Sequence, residues 1–139
     1  MKTIDFSSQG ENITIVERLI DELCEKHNIP EEHYGNILIA LTEAANNAIY
    51  HGNRNDPDKK VILQYEASPK KFYFRIEDEG PGFDFENVPD PTSPENLEKP
   101  NGRGVFLMKH LSDEMTFSEN GRVVEIIFNN LTKPVEVSA

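Results

Sequence analysis

Val61-Ile62-Leu63-Gln64-Tyr65-Glu66-Ala67 and Phe72-Tyr73-Phe74-Arg75-Ile76-Glu77, separated by Ser68-Pro69-Lys70-Lys71, form the stretch on which the fold turns. Val61, Leu63, Tyr65 and Ala67 alternate with Gln64 and Glu66, and Phe72, Phe74 and Ile76 alternate with Tyr73 and Arg75. A period of two with one apolar face marks half-buried strands, and the Ser68-Pro69-Lys70 turn joins them as an antiparallel hairpin. Such a hairpin has one face to cover, so the flanking segments must supply helices.

Upstream they do. From Asn12 to Lys26, Ile13, Val16, Leu19, Ile20 and Leu23 recur at helical spacing and predict a first amphipathic helix. Pro30 sits where a helix can begin, and Glu31 and Glu32 suit the positive end of its dipole. Tyr34, Ile37, Leu38, Leu41, Ala45, Ala48 and Ile49 carry the second helix to about Tyr50, with Gly52 as a natural stop. Thr3 to Phe6 can form a short edge strand, and Asn53 to Lys60, polar and holding Pro57, reads as a loop.

Downstream, Asp84 to Asn101 is acidic and holds Pro89, Pro91, Pro94 and Pro100, which disfavours regular structure and predicts a lid over 84–101. Gly104 to Leu111 has Val105, Leu107, Met108 and Leu111 at helical spacing. Met115 to Ser118 and Arg122 to Phe128 predict a closing hairpin around Asn120-Gly121. Residues 131–139 read as a frayed tail. Strands grouped by short turns, with helices before and between them, predict an α+β two-layer sandwich with helices on one face of a mostly antiparallel sheet. The whole of 1–139 reads as a single domain.

Composition narrows the function classes. The 139 residues are 37% apolar, enough for one core, and 14 Lys and Arg against 25 Asp and Glu leave a net charge of −11. Such a chain lacks the basic stripe that nucleic acid requires. One cysteine rules out an internal disulfide framework, and four scattered histidines do not space out a structural zinc site. No apolar run approaches the ~20 residues of a membrane span, and Met1-Lys2-Thr3-Ile4-Asp5 has no signal-peptide core. A soluble, cytoplasmic protein is expected. Cys24 reads as a packed thiol, His51 as a helix-end residue, and His27, His33 and His110 as surface residues.

Three short segments bear chemistry. On the second helix the apolar side chains fill a stripe of about 140°, and Glu43 and Asn47, one turn apart, point together roughly 150° from its middle. Alone they read either as a solvated polar pair or as a base beside an amide oxygen suited to Mg²⁺. Asp78-Glu79-Gly80-Pro81-Gly82-Phe83 ends the second strand. It reads as a plain turn, or as one where a flat ligand approaches the backbone and Asp78 accepts from an exocyclic amine such as adenine's. Asn101-Gly102-Arg103-Gly104 precedes an apolar helical pattern, either as a cap or as an anion site of free backbone amides, with Arg103 adding a contact to a terminal phosphate. In this order the three segments suit ATP with Mg²⁺ from base to γ-phosphate.

At these residues the sequence resembles the GHKL (Bergerat-type) ATPase superfamily and, within it, the small bacterial anti-sigma-factor serine/threonine kinases. The resemblance runs from about Thr3 to Phe128 and includes the block Thr42-Glu43-Ala44-Ala45-Asn46-Asn47-Ala48-Ile49-Tyr50-His51-Gly52-Asn53, which is similar to the family's N-box. It implies that Glu43 is the catalytic base, that Asn47 ligates Mg²⁺, that Asp78 reads the adenine amine, and that Gly80 and Gly82 shape the pocket. It also implies that Gly102, Arg103 and Gly104 bind phosphate under the lid. A phosphoacceptor of the anti-anti-sigma (STAS) type, a sigma factor as second partner and a homodimer are further implications. Sensor histidine kinases share these boxes, but the length here leaves no room for a phosphoacceptor hairpin or a sensor. The nearest basic residues to the Gly-x-Gly are Lys99 and Arg103, whereas the family often has an Arg ahead of it. A non-catalytic ATP-binding adaptor that sequesters a partner is the alternative to a kinase.

Overall fold

In the computed structural model the described residues are 1–82 and 100–135, with the backbone alone for 100–103. The elements are β1 (Lys2–Ser7), α1 (Ile13–Lys26), α2 (Glu31–Asn46), a π-helical turn Asn47–Gly52, β2 (Lys60–Ala67), β3 (Phe72–Glu77), α3 (Pro100–Leu111), β4 (Glu114–Ser118) and β5 (Val123–Phe128). The strands form one antiparallel sheet in the order β1-β2-β3-β5-β4. The expected α+β two-layer architecture is what the chain adopts.

The β2–β3 hairpin sits at the centre, with Leu63 opposite Ile76 and Tyr65 opposite Phe74, and the Ser68 amide closes its turn on the Lys71 carbonyl at 2.9 Å. β3 alternates between buried and half-buried positions, so Phe72, Phe74 and Ile76 all face the helices. Phe74 meets Phe72 and Phe128 edge-on at centroid distances of 6.0 and 6.3 Å, a geometry favoured by ring quadrupoles. Val16, Leu19, Ile20 and Leu23 of α1, Ile37, Ala40, Leu41, Ala44 and Ala45 of α2, and Val105 and Met108 of α3 join the inward strand residues in one core. Burial of each large side chain there contributes about 1.5–3 kcal/mol.

Three boundaries differ from expectation. The second helix leaves α geometry at Asn46: the Asn53 amide donates to the Ala48 carbonyl, five residues back, at 2.9 Å, a turn type frequent at functional sites. The third helix starts at Pro100 rather than Gly104. Pro suits a first helical turn, but Pro100-Asn101-Gly102-Arg103 has no apolar residue by which periodicity could register it. Residues 100–101 therefore belong to α3, and the rest of the expected lid lies outside the described residues.

The expected fray at 131 is also corrected. Leu131 is buried in the core and its amide donates to the Lys70 carbonyl at 3.0 Å. The His33 ring nitrogen Nε2 bonds the Lys133 carbonyl at 2.5 Å, so this His ties down the chain end rather than standing free. His27, half-buried, lies edge-on to Phe72 at 5.8 Å and closes the end of the core. Among the described residues no helix is long and apolar enough to cross a membrane.

Candidate nucleotide site

The apolar stripe of α2 turns inward, which leaves Glu43 and Asn47 on its flank. That flank is not open to solvent as the stripe geometry predicts: both residues are half-buried, because α3 packs against α2 with a glycine at the crossing. A Cβ on Gly104 would lie 3.1 Å from Glu43 Oε2 and 3.3 Å from both Asn47 Oδ1 and Nδ2. The first turn of α3 therefore abuts the carboxylate and the amide at once. Gly102 and Arg103 precede this contact in the same turn. A glycine inside a helix costs about 1 kcal/mol relative to alanine, and here it admits the two polar side chains.

Asp78 follows the last residue of β3, and its backbone extends the sheet, donating to the Arg122 carbonyl at 3.0 Å. The carboxylate accepts from the Gly80 amide at 2.8 Å, a local turn that fixes one oxygen. Burial pushes the Asp78 carboxyl up from its ordinary 3.8 to about 6, with Glu77 adding to the rise while the Gly80 amide, Arg122 and Lys59 oppose it. At neutral pH the group is an ionised acceptor held at the edge of apolar surroundings.

The two glycines of this turn make room chiefly for the protein. A Cβ on Gly80 would sit 1.9 Å from the Gly52 carbonyl oxygen, so the end of the π-helical turn packs directly on the Asp78 turn. Gly82, at φ +87°, is in a left-handed conformation, and a Cβ there would meet the Asn120 carbonyl at 2.1 Å. The sequence reading assigned this space to a flat ligand. For Gly80 the space is instead taken by backbone, while Gly82 also borders the cavity.

Asn47, Asp78 and Gly82 line one small cavity of about 50 Å³. It is also lined by Ala44 of α2, Ala48 of the π-helical turn, Ile76, Met108, Phe117 and Val124, with His51, Gly52, Gly121 and Arg122. Partial burial lowers the pKa of His51, so at neutral pH the ring is uncharged and adds no positive field. An apolar slot with a single carboxylate suits a planar heterocycle with an exocyclic amine. The Glu43–Asn47–Gly104 cluster continues from its Asn47 end.

Six residues carry no site signal in the sequence. Ile76, Met108, Phe117 and Val124 show only as apolar positions of strands or a helix, because an inward-facing residue looks the same whether it meets a side chain or a cavity. Arg122 lies just past a turn and carries no motif. Asn53, in a polar loop-like run, is wholly buried. Its Nδ2 donates to the Lys60 carbonyl at 2.9 Å and its Oδ1 accepts from the Glu79 amide at 2.7 Å. Cys24, by contrast, is the packed thiol expected, with burial pushing its pKa up to about 11.

Among the described residues no group of three or more His, Cys, Asp or Glu side chains could hold a metal ion. The donor set fits Mg²⁺ only in the way typical of nucleotide sites, with one or two protein oxygens supplementing phosphate and water. The Asn47 amide beside the start of α3 meets that requirement.

The fold is of the histidine-kinase ATPase type, and residues 6–128 match the family model described as histidine kinase-like ATPase domain. The chain belongs to that family, of GHKL type. It is 28% identical over 136 residues to the anti-sigma F factor of Halalkalibacterium halodurans, covering 94% of this chain and 92% of that protein. The anti-sigma F factor of Anoxybacillus flavithermus is 33% identical over 104 residues, covering 70% and 69%. The serine-protein kinase RsbW of Listeria innocua is 24% identical over 145 residues, covering 99% and 92%. Among solved structures, the nucleotide-free catalytic domain of histidine kinase ThkA matches 94% of this chain and 98% of its own, with a TM-score of 0.52 at 20% identity, a likeness of fold.

Proposed function

We propose that the chain binds ATP with Mg²⁺ and transfers the γ-phosphate to a Ser or Thr hydroxyl of a small protein partner. The observation that carries this reading is that Gly104 packs on both Glu43 and Asn47, so closely that an added Cβ would stand 3.1–3.3 Å from their polar atoms, beside a cavity that Asn47 and Asp78 both line. Asp78 accepts from the adenine amine, and the apolar walls hold the ring. Asn47 is the protein ligand for Mg²⁺, whose contribution when bound is to neutralise charge on the phosphates. At the start of α3 the free amides of the first turn, that of Gly102 among them, hold phosphate oxygens, while the amides of Arg103 and Gly104 bond within the helix that begins at Pro100, so that Gly104 contributes through close approach and Arg103 through its charge.

Glu43 accepts the proton of the incoming hydroxyl as its oxygen bonds to the γ-phosphorus, and the bond from that phosphorus to the bridging oxygen breaks, leaving ADP. Positioning and charge stabilisation do most of the work in such transfers. In a chain of net charge −11, local donors must outweigh an unfavourable overall field.

The relatives' names, anti-sigma F factor and serine-protein kinase, support a sigma factor as one partner and a serine as the acceptor. The family resemblance of the sequence extends the reading to an anti-anti-sigma acceptor of the STAS type, a homodimer and the cytoplasm. Phosphorylation of the acceptor would release it through added charge at the docking surface. Incubation with γ-labelled ATP, Mg²⁺ and a STAS protein from the same genome tests this. Label is expected on the acceptor with wild type and not with Glu43→Gln. Tight ATP binding without transfer to any such acceptor would instead support the sequestering adaptor.

A further inference from the structure

Asn53 has no place in the chemistry above, yet its environment is unusual for a polar side chain. It is 0% exposed, in a stretch otherwise polar and mostly exposed. Such a residue carries a full desolvation cost unless both ends of its amide are bonded. Both are. Nδ2 donates to the Lys60 carbonyl, where β2 begins, and Oδ1 accepts from the amide of Glu79, the residue after Asp78. Its own backbone amide closes the π-helical turn on Ala48.

These three bonds tie together the segment that starts at Asn47, the first residue of β2, and the turn that carries Asp78. The same junction is tightened by two neighbours. Glu79 Oε1 accepts from the Lys60 amide at 2.6 Å, and Gly80 lies against the Gly52 carbonyl. Asn53 is thus the side chain through which the phosphate end and the base end of the cavity are held in register.

We propose that Asn53 is a positioning residue for nucleotide recognition: by holding the Glu79 amide it sets the Asp78 carboxylate against the base, and so supports selection of adenine over guanine. The inference rests on the reading of Asp78 as the base acceptor. Adenine presents an amine donor where guanine presents the O6 acceptor, so discrimination depends on where the carboxylate stands. A displaced acceptor loses both the attraction to one base and the repulsion of the other. A residue that only stabilised the fold would weaken both nucleotides alike.

The test is a double-mutant cycle read as the ratio of ATP to GTP affinity by calorimetry, on the full chain with Mg²⁺. Asp78→Asn and Asn53→Ala are each expected to lower the ratio, the latter by roughly tenfold, the worth of one charge-assisted hydrogen bond. The double variant is expected to show no further loss, since Asn53 acts through Asp78. Additive losses, or an unchanged ratio in Asn53→Ala beside a reduced one in Asp78→Asn, would overturn the positioning role while leaving the Asp78 reading intact. A wild type without preference for ATP, or an Asp78→Asn variant that keeps it, would overturn both.

Where Asn53→Ala fails to fold, amide exchange of the wild type decides. The Glu79 amide is expected to exchange at least several-fold more slowly with ATP bound than without, and more slowly with ATP than with GTP. Equal exchange in the three states would refute the proposal.

Discussion

The two ends of the cavity hold their polar groups by different means. At the Asp78 end the device is local and dense: a two-residue hydrogen bond from the Gly80 amide, a buried Asn53 one residue away through Glu79, and burial that lifts the carboxyl to about 6. At the Glu43 end the carboxylate stands on a helix flank and is enclosed only because α3 crosses α2 at a glycine. The first arrangement joins the β2–β3 hairpin to the turn before β2 and to Arg122; the second exists only while two helices remain docked. A group that reads a base must be rigid, and a group that meets an incoming partner must be reachable from outside. The contrast matches what the proposed roles of Asp78 and Glu43 require.

The sharpest way to break the comparison is Glu43→Gln. Removing the proposed base while keeping its shape is expected to cut phosphoryl transfer by about 10²–10⁴-fold, with ATP affinity by calorimetry close to wild type. A comparable fall in affinity would move Glu43 from the chemistry to the binding of the nucleotide.

Asp78→Asn has the opposite profile. Loss of a hydrogen bond to a charged acceptor is expected to weaken ATP binding by about 1.5–3 kcal/mol, roughly ten- to a hundredfold. The same variant is expected to melt a few degrees higher without ligand at pH 7, because it removes a buried charge. The stabilisation is on the order of 1 kcal/mol, the full value of about 1.4 kcal/mol per unit being reduced by partial solvation. Equal or lower apo stability would mean that Asp78 is compensated better than its raised pKa implies.

Gly104→Ala addresses the helix crossing. Alanine gains about 0.5–1 kcal/mol of helix propensity, while its methyl presses on Glu43 and Asn47 at 3.1–3.3 Å. The thermal midpoint is therefore expected to stay within a few degrees of wild type as turnover drops roughly tenfold, the penalty of a misplaced reacting group. Unaltered turnover would show that the crossing tolerates the shift.

The smallest effect is a pH dependence. Folded Asp78 takes up its proton near pH 6, whereas the unfolded carboxyl does so near its ordinary 3.8, so between these values the native state binds more protons. The contribution of this group to stability is then fully present below about pH 4 and is lost as the pH rises through 6. Nucleotide binding runs the other way, weakening as the pH falls through about 6, because a protonated acid no longer accepts from an amine. Wild type compared with Asp78→Asn by denaturation and calorimetry from pH 4 to 8 isolates both slopes; parallel curves would remove Asp78 as their source.

Much of this was legible without coordinates. The period-two runs at 61–67 and 72–77, the helical stripes ahead of them and the turn at Asn120-Gly121 specified the elements, because backbone periodicity and turn chemistry act over a few residues. The residue types at Glu43, Asn47, Asp78 and Gly104 likewise marked the candidates on which the proposed function rests. Tertiary packing alone decided what stands opposite each of them. It put the first turn of α3 against Glu43 and Asn47, gave the space beside Gly80 to the Gly52 carbonyl, divided inward-facing apolar residues between core and cavity wall, and buried Asn53 from a run that looked like loop. Periodicity records which side of an element turns inward and nothing about its neighbour there; that neighbour comes from contacts tens of residues away, on which local sequence has no purchase.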